Sequence, residues 1–254
     1  MRFMEKYAKT GIIIEKKKTM LKQKIVLIGF PGMALVGKGV AEYLINALGL
    51  ELEVVMHPIH SPANVVVDNG LIITPSINIY SKRDVDIAVV TSSFQPQTDE
   101  GQNIVAHFVL EYLANKKVLS IISAAAYVTS NPSKPRKVYV ASTHREFLRR
   151  LLDIGLSPME GGISGLNGLI PGLSYMYGLP GAVLLGETGE IYVAGNLMDY
   201  LAVASVLEAI SKIANIELDT RELFRKGEEL EEKITTQALR EIETEEKPSA
   251  PTHL

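Results

Sequence analysis

KIVLIGF (Lys24–Phe30), closed by Pro31-Gly32 and continued by MALVGKGVAEYLINALG (Met33–Gly49), carries the information that decides the fold. The first stretch is a continuous apolar run stopped by a turn signal, which predicts a buried strand. The second has apolar residues at helical spacing and ends at a glycine, which predicts a helix. The same alternation continues outward. ELEVVMH (Glu51–His57), VDIAVVTS (Val85–Ser92), VLSIISAAA (Val118–Ala126), VYVAST (Val138–Thr143) and GAVLLGE (Gly181–Glu187) read as strands, and LIITPSINIY (Leu71–Tyr80) as one interrupted by Pro75. NIVAHFVLEYLANK, HREFLRRLLDIG and LMDYLAVASVLEAISKIA read as helices between or after them. Short strands rich in Val, Ile and Leu, alternating with helices, indicate an α/β domain with a largely parallel, buried sheet flanked by helices.

The chain has 254 residues, 46% apolar and 22% charged, and a net charge of −3. That is enough to bury a continuous core without covalent staples. It contains no cysteine, which excludes disulfides, thiolate metal sites and a cysteine nucleophile and fits a cytoplasmic protein. No stretch approaches the ~20 uncharged apolar residues of a membrane span, and the first residues lack the apolar centre of a secretory signal. The near-neutral balance argues against bulk nucleic-acid binding. Charge is unevenly spread: residues 1–24 carry eight basic and two acidic side chains, residues 217–247 six basic and eleven acidic. The expected organisation is a basic segment over 1–23, an α/β domain over 24–216, a charged helix over 217–243 and a flexible tail over 244–254. Leu230, Ile234, Ala238 and Ile242 give the charged helix a narrow apolar stripe at four-residue steps, suited to packing on the domain or on another chain.

The turn Gly29–Gly39 comes close to a phosphate loop. Gly32, Gly37 and Lys38 fit G-x-x-x-x-G-K-[ST] through seven of its eight positions, after a strand and before a helix. Gly39 stands where a hydroxyl must ligate magnesium, and the loop is filled by bulky apolar residues. Two other readings apply: a tight turn whose glycines Gly29, Gly32 and Gly37 permit close packing, and an exposed apolar loop, with Phe30, Pro31, Met33 and Leu35, that contacts a protein.

Catalytic signals are weak, and no catalytic residue or metal ligand is assigned. His57 and His60 in HPIH read as loop surface, with no acidic third ligand nearby. His107 reads as a partly buried spacer within a helix. Thr143 and Glu146 fit a helix-capping box. Gly162, Ser164 and the residues around them miss the spacing of the nucleophile elbow. Ser92, Ser93, Gln95 and Gln97 supply hydrogen-bonding groups at a strand end without a strong acid, base or nucleophile. The segment Gly161–Thr188 is glycine-rich, apolar and almost uncharged. Its Gly162, Gly165 and Gly168 either allow close packing or leave backbone accessible to a ligand or partner.

GFPGMALVGKGVAEYL, the SSFQPQ turn, YVASTHREFLRRLLDIG, GGISGLNGLIPGL, LPGAVLLGET and the closing charged helix occur in an order that resembles the archaeal proteasome assembly chaperones. The resemblance extends from Lys24 to Ile242. It implies a nucleoside-phosphorylase-like α/β fold without that activity, no cofactor, homo-oligomers or pairing with a related chain, and binding to proteasome α-subunits during ring assembly. It also implies docking through a C-terminal hydrophobic–tyrosine–any-residue motif. Thr252, His253 and Leu254 stand at those positions, with His253 in place of the tyrosine. A further departure is LMDYLAVA (Leu197–Ala204), where the family pattern has a proline-rich turn and this chain keeps Asp199. The expected function is therefore a non-catalytic assembly chaperone. The alternatives are a nucleotide- or nucleoside-binding enzyme using the Gly29–Gly39 turn, and an adaptor for a different client.

Overall fold

Apolar strands and amphipathic helices assemble into a ten-stranded sheet with helices on both faces, as seen in a computed structural model that describes residues 3–8, 10–16, 25–116 and 118–245. Strands β1 (Phe3–Ala8), β2 (Gly11–Lys16) and β3 (Ile25–Gly29) precede helix α1 (Val36–Ala47). Then come β4 (Glu51–Pro58), β5 (Val66–Asp68), β6 (Leu71–Ile73), β7 (Ile77–Ser81), β8 (Ile87–Ser92) and α2 (Asp99–Ala114). β9 (Ser120–Thr129) and β10 (Val138–Ser142) lead to α3 (Arg145–Asp153) and the short β11 (Ser157–Pro158). α4 (Leu166–Leu173), β12 (Gly181–Gly189), α5 (Glu190–Ala194), α6 (Tyr200–Ala214) and α7 (Arg221–Glu245) complete the order.

The sheet runs β1-β2-β4-β7-β8-β3-β9-β12-β10-β11, and it is mixed where a largely parallel one was expected. Its centre, β8-β3-β9-β12, is a block of parallel strands, and the short β11 pairs parallel with β10 at one edge. β1, β2, β4 and β7 pair antiparallel on one flank, and β10 does so against β12. The reason lies in the connections. No helix separates β4 from β8, and strands joined without a helical crossover return antiparallel. Residues 3–16 also belong to the sheet: β2 pairs with β4 in register Ile13↔Met56, and β1 closes that edge. LIITPSINIY divides at Pro75 into β6 and β7, which lie in different sheets. The residues 17–24 of the expected basic segment and the tail 246–254 lie outside the described residues.

Side-chain alternation along the central strands feeds two cores. Val26 and Ile28 of β3, with Ala88 and Val90 of β8, pack beneath α2 and α4. Leu27 and Val89 face the other way, against α1 and α6. α6 is buried over most of its circumference because the sheet and α1 cover one side and α7 the other. Leu223, Leu230 and Ile234 of α7 reach that second core, so the described part of the apolar stripe packs on its own domain.

Candidate functional site: a cleft where three loops meet

Three segments from distant parts of the chain converge beyond the C-terminal ends of the parallel strands. They are the turn after β3, the Ser92–Gln97 turn after β8, and the glycine-rich approach to α4. Ligand sites in open α/β sheets concentrate at such strand ends. Here the segments border a cleft of about 1240 Å³. Its walls include Gly32, Met33, Leu35, Gln95, Tyr127, Gly162 and Gly165.

Amide side chains fasten the loops. The Phe30 N–H donates to Asn167 Oδ1 at 2.9 Å, and Asn167 Nδ2 donates to the Phe30 carbonyl at 3.0 Å. Asn167 is buried in the first turn of α4, and Ser123 of β9 donates its hydroxyl to the Asn167 carbonyl. Gln95 does the same work one step outward: its Nε2 donates to the Pro31 carbonyl, and its Oε1 accepts from the Leu166 N–H at 2.8 Å. Both amides spend donor and acceptor on backbone. A buried backbone group without a partner would cost about 1–3 kcal/mol, so these two side chains hold the cleft's shape.

The turn after β3 is bent by two successive left-handed residues, Ala34 (φ 48°) and Leu35 (φ 50°). Non-glycine residues reach this region at a cost of roughly 1–2 kcal/mol each. The surroundings enforce it. The Asp199 N–H donates to the Ala34 carbonyl at 3.1 Å, and Ala34 is buried. Asp199 in turn caps α6 through the Ala202 N–H at 3.0 Å, accepts from the Thr188 hydroxyl at 2.8 Å, and faces Arg136 Nε at 3.4 Å. Arg136 also reaches Glu231 of α7, where Lys134 arrives as well. A buried ionic chain therefore links the turn to the C-terminal helix. Burial by itself raises the Glu231 carboxyl, but the Lys134 hydrogen bond and the Arg136 charge more than offset this and hold it below its ordinary value. Burial also raises Glu187, and hydrogen bonds from Ser133 and Lys137 outweigh it.

The residues singled out from the sequence fall into different places. Phe30, expected on an exposed loop, is fully buried in the core under α2 and α4, because its backbone is tied to Asn167. Pro31 and Leu35 are half-buried, whereas Met33 is 49% exposed at the cleft rim. Gly29 ends β3 against α1. Gly37 sits where a Cβ would meet Ala124 O at 2.5 Å and Asn167 Nδ2 at 2.8 Å, so glycine there serves close packing. Gly32 and Gly162 face open cleft. Gly165 adopts φ +81° beside Gln95, and Gly168 lies against Ile163. Thr252, His253 and Leu254 lie outside the described residues. Lys38 is not part of the cleft wall and pairs with Glu42 at 3.6 Å on the surface of α1. The cleft wall carries Asp99 and Glu160 and, among the described residues, no Lys or Arg, a poor environment for a phosphate.

Thr143 does not complete a capping box. It accepts from the Gly181 N–H at 2.9 Å, fastening β10 to β12, and His144 occupies the cap position of α3. His57 lies within β4, with Nδ1 3.2 Å from the Pro75 carbonyl, and His107 contacts the Tyr177 hydroxyl at 2.6 Å. Among the described residues no three His, Asp or Glu side chains gather as a metal site, and no helix is long and apolar enough to cross a membrane. Sequence reasoning passed over Asn167, whose only local signal is its place among the glycines of GLNGL. It also passed over Arg136 and Glu231, which nothing in the local pattern distinguishes from surface charge.

Residues 26–238 match the model of the PAC2 family. The chain belongs to the PAC2 family. All three cleft loops lie inside the matched PAC2 region. Among curated relatives, an uncharacterized protein of Methanocaldococcus jannaschii is 30% identical over 233 residues, covering 88% of this chain and 87% of that protein. Among solved structures, Pyrococcus furiosus PbaB, described as an archaeal proteasome activator, is 26% identical. It superposes with a TM-score of 0.78 over 93% of this chain and 100% of its own. Pyrococcus furiosus PbaA, described as an archaeal homolog of proteasome-assembly chaperone, shares the fold at 23% identity, with a TM-score of 0.73 over 90% of this chain and 93% of its own.

Proposed function

We propose that this PAC2 protein is a non-catalytic, proteasome assembly chaperone-like protein of the cytoplasm. In this reading it binds proteasome core α-subunits during ring assembly and acts as a homo-oligomer or paired with a related chain. The observation that carries the reading is its likeness, across 93% of its length, to the proteasome activator PbaB at 26% identity. The cleft chemistry favours it too. Two polar side chains of the cleft wall, Asn167 and Gln95, are committed to backbone groups. What the cleft rim offers outward is apolar surface at Met33, which suits burial against a protein. The residues after the C-terminal helix act as a tether that raises local concentration even when its own affinity is small.

The test is light-scattering chromatography of the full chain mixed with recombinant α-subunits, beside a variant lacking residues 248–254. Co-elution of both supports binding through the folded surface. Co-elution lost on deletion assigns docking to Thr252, His253 and Leu254. Free elution of both chains overturns the proposal.

A further inference from the structure

The cleft beyond the strand ends is rich in hydrogen-bond acceptors and, among the described residues, carries no charged donor. Its amide side chains create this bias by spending N–H groups on nearby backbone. Gln97 Nε2 donates to the Gln95 carbonyl at 3.3 Å, Gln102 Nε2 to the Pro96 carbonyl at 3.1 Å, and Asn103 Nδ2 to the Asp99 carbonyl at 2.9 Å. Three amide oxygens, Gln97 Oε1, Gln102 Oε1 and Asn103 Oδ1, are left as acceptors with no donor among the described residues. Asp99 adds a carboxylate in the first turn of α2, on the helix face that Gln102 and Asn103 share by their spacing. With Glu100 it outweighs the roughly +0.5 charge of a helix start. Glu160 brings a second carboxylate to the wall, and no Lys or Arg there pairs with either. Tyr127 of β9 contributes an aromatic ring, held by stacking on Tyr139 with ring centroids 4.2 Å apart.

We infer that the cleft receives an arginine side chain, carried on a basic segment of the protein that binds there. The inference rests on the proposed reading of the cleft as a protein-binding site, and names the chemistry of what enters it. Three observations choose this occupant. The first is complementarity. A guanidinium has five N–H donors and no acceptor, so it answers a wall of two carboxylates and three amide oxygens, where a carboxylate or phosphate group meets repulsion. The second is the aromatic ring. A guanidinium plane stacks on a tyrosine face, which a compact ammonium does less well, and Met33 at the rim offers apolar surface to the aliphatic stem. The third is size. The cleft, at about 1240 Å³, exceeds the ~300–1,000 Å³ of small-molecule pockets, which leaves room for the residues flanking the arginine. Gly162 helps, because no atom lies within 4 Å of where its Cβ would stand, so a chain segment can lie against its backbone.

The experiment titrates the full-length chain with fluorescein-labelled tetra-arginine, tetra-lysine and tetra-glutamate peptides, read by anisotropy, and separately with recombinant α-subunits. Wild type is compared with Asp99→Asn/Glu160→Gln, which keeps shape and removes both charges, and with Tyr127→Leu. Glu208→Gln/Glu228→Gln makes the same charge change at exposed positions away from the cleft. Circular dichroism verifies that each is folded. Tetra-arginine is expected to bind wild type and the E208Q/E228Q control alike, and D99N/E160Q at least ~10-fold more weakly. Y127L is expected between them, with tetra-lysine weaker than tetra-arginine on wild type and tetra-glutamate not bound. Affinity for α-subunits is expected to fall in the same order. Absence of tetra-arginine binding overturns the inference, as does a loss in the control equal to that in D99N/E160Q. Equal affinity for tetra-lysine overturns the choice of arginine. Unchanged α-subunit affinity in D99N/E160Q overturns the inference by placing that contact elsewhere. Cleft-dependent tetra-arginine binding by a wild type that does not bind α-subunits counts against the proposed function alone.

Discussion

Asn167 and Phe30 satisfy one another in a closed pair, the amide oxygen accepting from the Phe30 N–H at 2.9 Å and the amide nitrogen donating to the Phe30 carbonyl at 3.0 Å. The two residues are 137 positions apart, and both are buried. The pair locks the turn after β3 onto the first turn of α4, and with it the cleft wall.

Asn167→Ala leaves two buried backbone groups without partners. The expected loss is about 3 kcal/mol, read as a lowered urea midpoint with unchanged slope. Asn167→Asp is expected to be at least as damaging, since it sets a carboxylate against the Phe30 carbonyl.

Two glycines of the same turn should respond oppositely. Gly37→Ala drives a methyl group to 2.5 Å from Ala124 O and is expected to cost about 2 kcal/mol or more. Gly32→Ala, with extended backbone at φ −164° and its nearest side-chain neighbour at 3.5 Å, is expected within about 0.5 kcal/mol of wild type. Thermal unfolding of the two variants side by side is the measurement.

The ionic chain predicts acid sensitivity. Glu231 and Glu187 have folded-state values below their unfolded ones. Their stabilisation is present above the unfolded value, near pH 4.3, and is lost as pH falls through the lower folded values. Glu231→Gln is expected to flatten the fall of stability on acidification below about pH 4.5, measured by denaturant titration at successive pH values. Arg136→Met removes the cation between two carboxylates and leaves the fully buried Asp199 without its ionic partner. It is expected to cost about 3–5 kcal/mol at neutral pH.

Met33→Asp tests the rim as a docking surface. The side chain is half exposed and belongs to neither buried core, so the melting temperature should hold. Affinity for α-subunits should fall at least ~10-fold, read by titration in solution. Unchanged affinity would remove the rim from the docking surface.

Much of the architecture was legible because it follows from local pattern. The apolar stretches at 24–30, 85–92 and 181–187 read as buried strands, and the spacing within 33–49 and 197–214 reads as helical faces, since period and burial are properties of neighbouring residues. The DNG turn between two β-branched runs also carried a hairpin signal, overshadowed by reading Leu71–Tyr80 as a single strand. Strand direction was another matter. Whether β4 and β7 return parallel or antiparallel depends on the path between them, and no periodicity records it.

The sequence by itself determined where most strands and helices lie, where turns interrupt them, and that the glycine-rich loops and the closing charged helix occur in an order resembling the archaeal proteasome assembly chaperones. Only the tertiary structure decided that Phe30 turns inward, that Asn167 and Gln95 tie three loops into one cleft, that Arg136 joins Asp199 to Glu231, and that the 65–73 hairpin stands clear of the domain. The physical reason is that burial and periodicity are read along the chain, whereas hydrogen-bond partners, buried charge pairs and exposed faces are set by residues that approach only once the chain has folded.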